Sequence, residues 1–444
     1  PARGDERATA MRVRLAYGES GVEIEAPESA TLVEAAPVPG LPDERAALLD
    51  AMRHPLAGPP LVDLVRGGEK AVLVFPDVTR AFPSARVVPL MLAELDAAGF
   101  GPERLTLLSG TGTHRANTPA ELERMLGSSV LSRYRVVNHD ARQRSTLVQL
   151  GVTSQGAPAL LDRVYVDADV RVVAGLIEPH FFAGYSGGPK GVCPGVAGLD
   201  TVLFAHDRRR IGDPRATWGS IEQNPVQQLV REVVALAPPT FTLDVTVNRE
   251  GAITGVFAGE GYAAHAAGCA FVARTQERSV PHEYDIVVTT NGGYPLDQNL
   301  YQAIKGLSAA ARIVRPGGSI VLAAECRDGI PSHGSYGAIL AAARSHHELF
   351  DLLQDGAATT PDQWQAQIQA IVQEKARVYA FCGGLSAEEI RAAHFEPIPS
   401  VEAALQALLA RQPEASIAIL PEGPYTVVTP AVVEQRGAAT VTSD

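Results

Sequence analysis

Lysine is nearly missing from this chain. Of 38 cationic side chains in 444 residues, 34 are arginine, and only Lys70, Lys190, Lys305 and Lys375 are amines. Arginine serves wherever a positive charge or a solvated stem suffices, so a retained lysine raises the question of amine chemistry. An amine can lose its proton, attack a carbonyl carbon and form an amide or imine; a guanidinium cannot. Lys70, in RGGEK ahead of a strand, and Lys375, on a polar helix face, are the two best explained by chance survival. Cysteine is also sparse. Cys193, Cys269, Cys326 and Cys382 lie far apart and form no CxxC pair. That argues against a disulfide framework and a structural zinc site, and a reducing cytoplasm fits best. There is no basic run, and the net charge of −12 argues against nucleic acid or an anionic membrane as a partner. No run of 18 uncharged residues offers a membrane span. The charged PARGDERATA segment before Met11 has no apolar core, so no secretory signal is expected, and residues 1–10 are expected to be an upstream extension.

What remains is a folded protein: 46% hydrophobic and 20% charged residues exclude disorder, and the length favours two domains. MRVRLAYG-ESG-VEIEAP alternates around a glycine turn as a β-hairpin does. Short apolar runs then alternate with helical patterns such as Val87–Ala98 and Thr118–Leu126. AVLVF leads to PDVTR, RLTLL to SGTGTHR, YRVV to NHD, and DVRVVAGLI to EPHFFAGYSGGPKG. A second set starts near residue 284 with YDIVVTTNGG and continues through RPGGSIVLAAE, ARVYAFCGG and SIAILPEG. Strands alternating with helices imply an α/β fold: two α/β domains with mainly parallel sheets, residues 11–280 and 281–444, with an active-site cleft between them. The stretch Ala266–Pro281 is expected to connect the two.

In parallel sheets, ligands bind beyond the carboxyl ends of strands. Four strand ends deliver Asp77, Thr79, Arg80, His114, His139, His180 and Lys190 to one edge. Glu178–Gly195 is the densest segment, with glycines, Gly187 and Gly188 among them, around His180 and Lys190. Closely spaced glycines let backbone N–H groups approach an anion, and a lysine adds a charge or a nucleophile. The segment lacks GxxxxGK[ST] spacing, and a tight connecting turn is the plainer reading. His114 and His180, each in a glycine-rich loop, suggest an opposed acid/base pair, which inversion at a carbon centre needs. His206 has no histidine at i+4, so it forms no HxxxH zinc pair.

PDVTR, GTGTHRANTP, EPHFFAGYSGGPKGVCPG, His206 sixteen residues after Lys190, GGYPLDQNLYQAIKG and DQWQAQ together resemble the nickel-pincer-nucleotide-dependent lactate racemase family, in order and spacing as well as residue type. The resemblance implies an isomerase that interconverts D- and L-2-hydroxy acids, lactate or a similar short aliphatic acid, by hydride transfer. The cofactor it implies is the nickel pincer nucleotide, pyridinium-3-thioamide-5-thiocarboxylic acid mononucleotide, covalently linked to Lys190. His206 would be the protein ligand to nickel, and His114 and His180 the acid/base pair. Asp77, Thr79, Gly187 and Gly188 would contact the cofactor. Arg80, Gln302, Lys305 and Trp364 would hold the substrate, with residues 281–444 closing over the N-terminal catalytic domain. Cofactor-biosynthesis proteins would be needed for activation. Ala81 departs from the proline the family often carries after Arg80, which removes no functional group. Two alternatives stand beside this reading: a family member acting on malate, an aromatic or a sugar acid, and a zinc-dependent hydrolase using His114, His180 and His206.

Overall fold

The computed structural model describes residues 10–332, 334–355 and 359–431. The segment ahead of Ala10 lies outside them. Contacts divide the chain into two units, one of Ala35–Gln276 with Pro331–Ala370, the other of Pro1–Glu34, Glu277–Ile330 and Ile371–Asp444. A single cut near residue 280 does not follow these units, because the N-terminal hairpin groups with the C-terminal strands and Pro331–Ala370 groups with the first unit.

The larger unit is built on strands β1 (Ala71–Pro76), β2 (Leu105–Gly110), β3 (Arg135–Asn138), β4 (Val170–Leu176), β5 (Phe241–Val247) and β6 (Ile253–Gly259), in spatial order β6-β5-β4-β1-β2-β3. All neighbours are parallel except β5 and β6. The strands are near-continuous apolar runs, as a sheet buried on both faces requires. Leu73, Phe75, Leu107, Val172 and Leu243 form its core with Val87, Val88, Met91 and Leu95. Those four lie on the helix Ser84–Ala97 at helical spacing, and that helix starts three residues earlier than its apolar pattern suggests, immediately after Pro83. The helix Pro119–Leu126 begins at a Thr118/Glu121 capping box with proline at its first turn.

Strands β5 and β6 were not legible as an expected pair. The supposed connection at Ala266–Pro281 is also corrected: most of it is the helix Gly261–Gln276, followed by the strand Glu277–Val280. Its buried face is Ala264, His265, Gly268, Cys269 and Val272. The spacing is helical, but side chains this small or polar leave no apolar stripe in the sequence.

The smaller unit has β7 (Tyr284–Thr290), β8 (Val314–Ala323), β9 (Ala376–Phe381), β10 (Glu396–Pro397) and β11 (Ile417–Leu420), all parallel, in the order β10-β9-β8-β7-β11 followed by the short strand Thr31–Leu32. The expected hairpin, Ala10–Leu15 paired with Val22–Pro27, lays Val13, Leu15, Ile24 and Ala26 on this core. All four cysteines are free and buried. Among the described residues, no helix is long and apolar enough to cross a membrane.

Candidate functional site

In the larger sheet the chain runs outward from β1 through β2 and β3, then returns to place β4 on the other side of β1. The crevice at a sheet's carboxyl edge opens where strand order reverses in this way, here between β1 and β4. Asp77, Thr79 and Arg80 follow β1; Glu178 and His180 follow β4; His114 follows β2. An ion pair spans the reversal, with Arg80 donating to Glu178 Oε1 at 2.7 Å.

The loop after β2 aims His114 at Asp77, with Nδ1 2.8 Å from Oδ2. The Thr79 hydroxyl donates to the other carboxylate oxygen at 2.6 Å. Asp77 is buried, which pushes its carboxyl up, but the hydrogen bond and charge of His114, the Thr79 hydroxyl and Arg80 outweigh burial and hold it below the usual carboxylate range. Asp77 is therefore an anion that accepts Nδ1–H, so in the neutral His114 ring the lone pair is on Nε2. The His114 side chain is 45% exposed.

His180 has the opposite arrangement. Its Nδ1 accepts the Ala183 N–H at 3.3 Å, so in the neutral ring the proton sits on Nε2. The ring is buried against Phe181 and meets Phe182 edge-on, with centroids 4.5 Å apart. Phe182 also contacts the His206 ring at 5.2 Å, and Lys190 Nζ lies 5.6 Å from its centroid. Trp364 sits 4.8 Å from His206. His180, Lys190, His206 and Trp364 thus gather around one phenyl ring. Burial, then the Lys190 charge, pushes the His206 pKa down to about 4. Its Nδ1 lies 2.8 Å from the Val202 carbonyl and donates to it, leaving a neutral Nε2 as a lone-pair donor.

Lys190 is delivered by a strap, Ser186–Gly188, whose anchors the sequence reading missed. The Gly188 N–H donates to both oxygens of the fully buried Asp244, at 3.0 and 3.1 Å. Burial pushes that carboxyl up to about 7 against the pull of the N–H. His265 Nε2 donates to the Ser186 carbonyl at 2.9 Å, and burial keeps this ring neutral, with a pKa of about 4. Gly187 and Gly188 take positive φ, and a Cβ would lie 2.7 Å from Ile177 at the first and 2.5 Å from His265 at the second. The missing side chains make room for the protein itself, so any ligand contact there belongs to the backbone. Asp244 had a visible signal, a lone acid inside the apolar strand FTLDVTV; Glu178 had none beyond its place next to His180.

Gln302 and Lys305 belong to the smaller unit. They lie one turn apart on the helix Leu300–Ala310, which starts at the Asn299 cap beyond β7, where that sheet's own strand order reverses between β7 and β11. Among the described residues, no metal-competent cluster of three side chains gathers His114, His180 and His206, which weighs against the zinc hydrolase.

Comparison with known proteins agrees with this layout. The family described as lactate racemase N-terminal domain matches residues 17–219, and that described as lactate racemase C-terminal domain matches residues 280–428. A lactate racemase of Lactiplantibacillus plantarum is 33% identical over 390 residues, covering 87% of this chain and 91% of the relative. One from Thermoanaerobacterium thermosaccharolyticum is 32% identical, covering 85% and 89%. The lactate racemase apoprotein structure from Thermoanaerobacterium thermosaccharolyticum superposes with a TM-score of 0.88 at 29% identity, over 94% of this chain and all of that one. A Thermotoga maritima protein shares the fold, with a TM-score of 0.66 at 17% identity, over 90% of this chain and all of that one.

Proposed function

This chain belongs to the lactate racemase family, and on that premise we propose that it racemises lactate or a similar short aliphatic 2-hydroxy acid with a nickel pincer nucleotide carried on Lys190. The observation that carries the reading is a pair of imidazoles following the two strands that flank β1, each fixed at Nδ1, His114 by Asp77 and His180 by the Ala183 N–H, which makes Nε2 the atom proposed to exchange a proton on each. A racemase needs one group to take a proton and another to give one, and the roles exchange when the reaction runs backwards.

The residues present fit the cofactor. Lys190 is an amine suited to permanent attachment, and His206 is a buried neutral imidazole of the type that binds nickel. Bound there, the group supplies a hydride acceptor and donor, which avoids the costly carbanion beside a carboxylate. The protein does the rest. His114 takes the hydroxyl proton of one enantiomer at Nε2, with Asp77 holding the ring and stabilising its charge. His180, in its imidazolium form, returns a proton to the 2-keto acid from the other side. Arg80 pairs with the substrate carboxylate and holds it in place for proton transfer. Trp364 packs against the nickel-binding histidine and excludes water. Proteins that build the cofactor must supply it.

Glu178 supports a monocarboxylate. It already neutralises Arg80 at 2.7 Å, so a dicarboxylate such as malate brings a second negative charge towards an existing one. Replacing Glu178 with Gln is expected to raise kcat/KM for malate relative to lactate roughly tenfold, about 1.4 kcal/mol. Parallel rate measurements on the two acids check this; an unchanged ratio removes Glu178 from substrate selection.

Intact mass and metal analysis of protein matured with the cofactor pathway, followed by a chirality assay over a panel of 2-hydroxy acids, tests the whole reading. It requires a permanent mass increase on Lys190, nickel near one per chain, and racemisation of lactate. Zinc without a mass increase would overturn it. His206→Ala is expected to keep the mass increase and lose at least ~90% of the nickel, because attachment and metal ligation reside on different side chains; loss of both together would deny His206 its separate role.

A further inference from the structure

A second histidine–aspartate pair stands at the next strand end, and it is built for a different purpose. His139 follows β3, with Nδ1 2.8 Å from Asp162 Oδ2 and Nε2 3.0 Å from the Ala197 carbonyl oxygen. Its side chain has no solvent exposure, and Asp162 has only 4%. The other Asp162 oxygen accepts the Val164 N–H at 2.9 Å. A carbonyl oxygen has no proton to give, so Nε2 must carry one. A carboxylate that accepts a backbone N–H on its other oxygen is likewise an acceptor towards Nδ1. A ring with one proton would leave a lone pair aimed at an oxygen in a dry interior, the costly arrangement of a buried unsatisfied group.

From this double donation we infer that His139 donates from both ring nitrogens as an imidazolium paired with Asp162, which positions the two loops that carry His114 and Lys190. Its backbone N–H donates to Ser109 O at 3.1 Å, and its carbonyl accepts the Thr111 hydroxyl at 2.7 Å, which fixes the start of the His114 loop. Asp162 N–H donates to Val196 O at 2.9 Å, and Gly112 N–H donates to Gly195 O at 2.9 Å, tying that loop to the segment just after Lys190. The groups that bond to the ring are Asp162 and the Ala197 carbonyl; among the described residues no second charged side chain bonds to it. The contrast with His114 is a matter of one atom. Both rings give Nδ1 to an aspartate, but one Nε2 is left for proton transfer and the other is sealed by a carbonyl. What the two loops carry rests on the proposed function; the charge on the ring does not.

Nitrogen-15 NMR of the histidine rings in the full chain, with or without cofactor, tests the charge state. The signal lost in His139→Gln is expected to show a proton on both ring nitrogens at neutral pH. A bare ring nitrogen overturns the inference even if the enzyme proves to be a racemase. Where His139→Gln does not fold, Asp162→Asn identifies the same signal. The positioning role predicts that Asp162→Asn lowers kcat 10- to 100-fold with KM within about twofold, and that it lowers Tm by ~10 °C. The double variant His139→Leu, Asp162→Leu is expected to recover part of the lost Tm, because both charges leave together, and none of the lost kcat, because the tether leaves with them. A folded Asp162→Asn protein with unchanged kcat would reduce the pair to a role in stability alone.

Discussion

Lys190→Arg is expected to fold normally, carry no added mass at residue 190, and lose racemisation by at least ~10⁴-fold. The substitution keeps the positive charge beside Phe182 and removes only the nucleophilic amine. It therefore separates two roles that a lysine among glycines could have. If the lysine served only to attract an anion, arginine would retain most of the activity, and mass spectrometry of the purified variant together with the chirality assay would show it. The result also bears on the composition of the chain, in which arginine fills 34 of 38 cationic positions. A position that accepts arginine without loss would have no chemical reason to be one of the four exceptions.

The second large effect concerns the two imidazoles. His114→Ala and His180→Ala should each lower steady-state racemisation by about 10² to 10⁴-fold, the usual span for a positioned acid or base. The more telling measurement is a single turnover on each pure enantiomer, quenched in acid and assayed for 2-keto acid. His114→Ala should fail to oxidise one enantiomer while His180→Ala fails with the other, since each ring takes the hydroxyl proton of only one of them. Equal failure on both enantiomers in both variants would refute the opposed arrangement. Asp77→Asn adds a finer test. The neutral amide removes the anion that holds Nδ1–H, so the variant should resemble His114→Ala in its enantiomer preference with a smaller loss, about 10-fold or more.

Much of the larger sheet is legible in the sequence because its strands are apolar runs ending in polar, glycine-containing turns. AVLVF, RLTLL, YRVV and DVRVVAGLI are all strands of one sheet, and Asp77, Thr79, Arg80, Glu178 and His180 follow the two strands that flank its order reversal. The helix Gly261–Gln276 escapes because its buried face is made of alanine, glycine, cysteine and histidine. Domain limits escape for a different reason. Hydrophobic pattern is local, whereas membership of a unit depends on contacts between segments as far apart as the N-terminal hairpin and β7. Lys190 and the histidines stand out by residue type and spacing, but the anchors Asp244 and His265 reach the lysine strap from 56 and 79 residues away. Sequence spacing carries no trace of such contacts.

Trp364 reaches His206 from a segment that rejoins its unit only after the chain has already built about half of the other one. On the ribosome, the amine and the imidazole emerge long before the indole that packs beside them. The packing of that indole against His206 can form only after residues 331–370 have emerged.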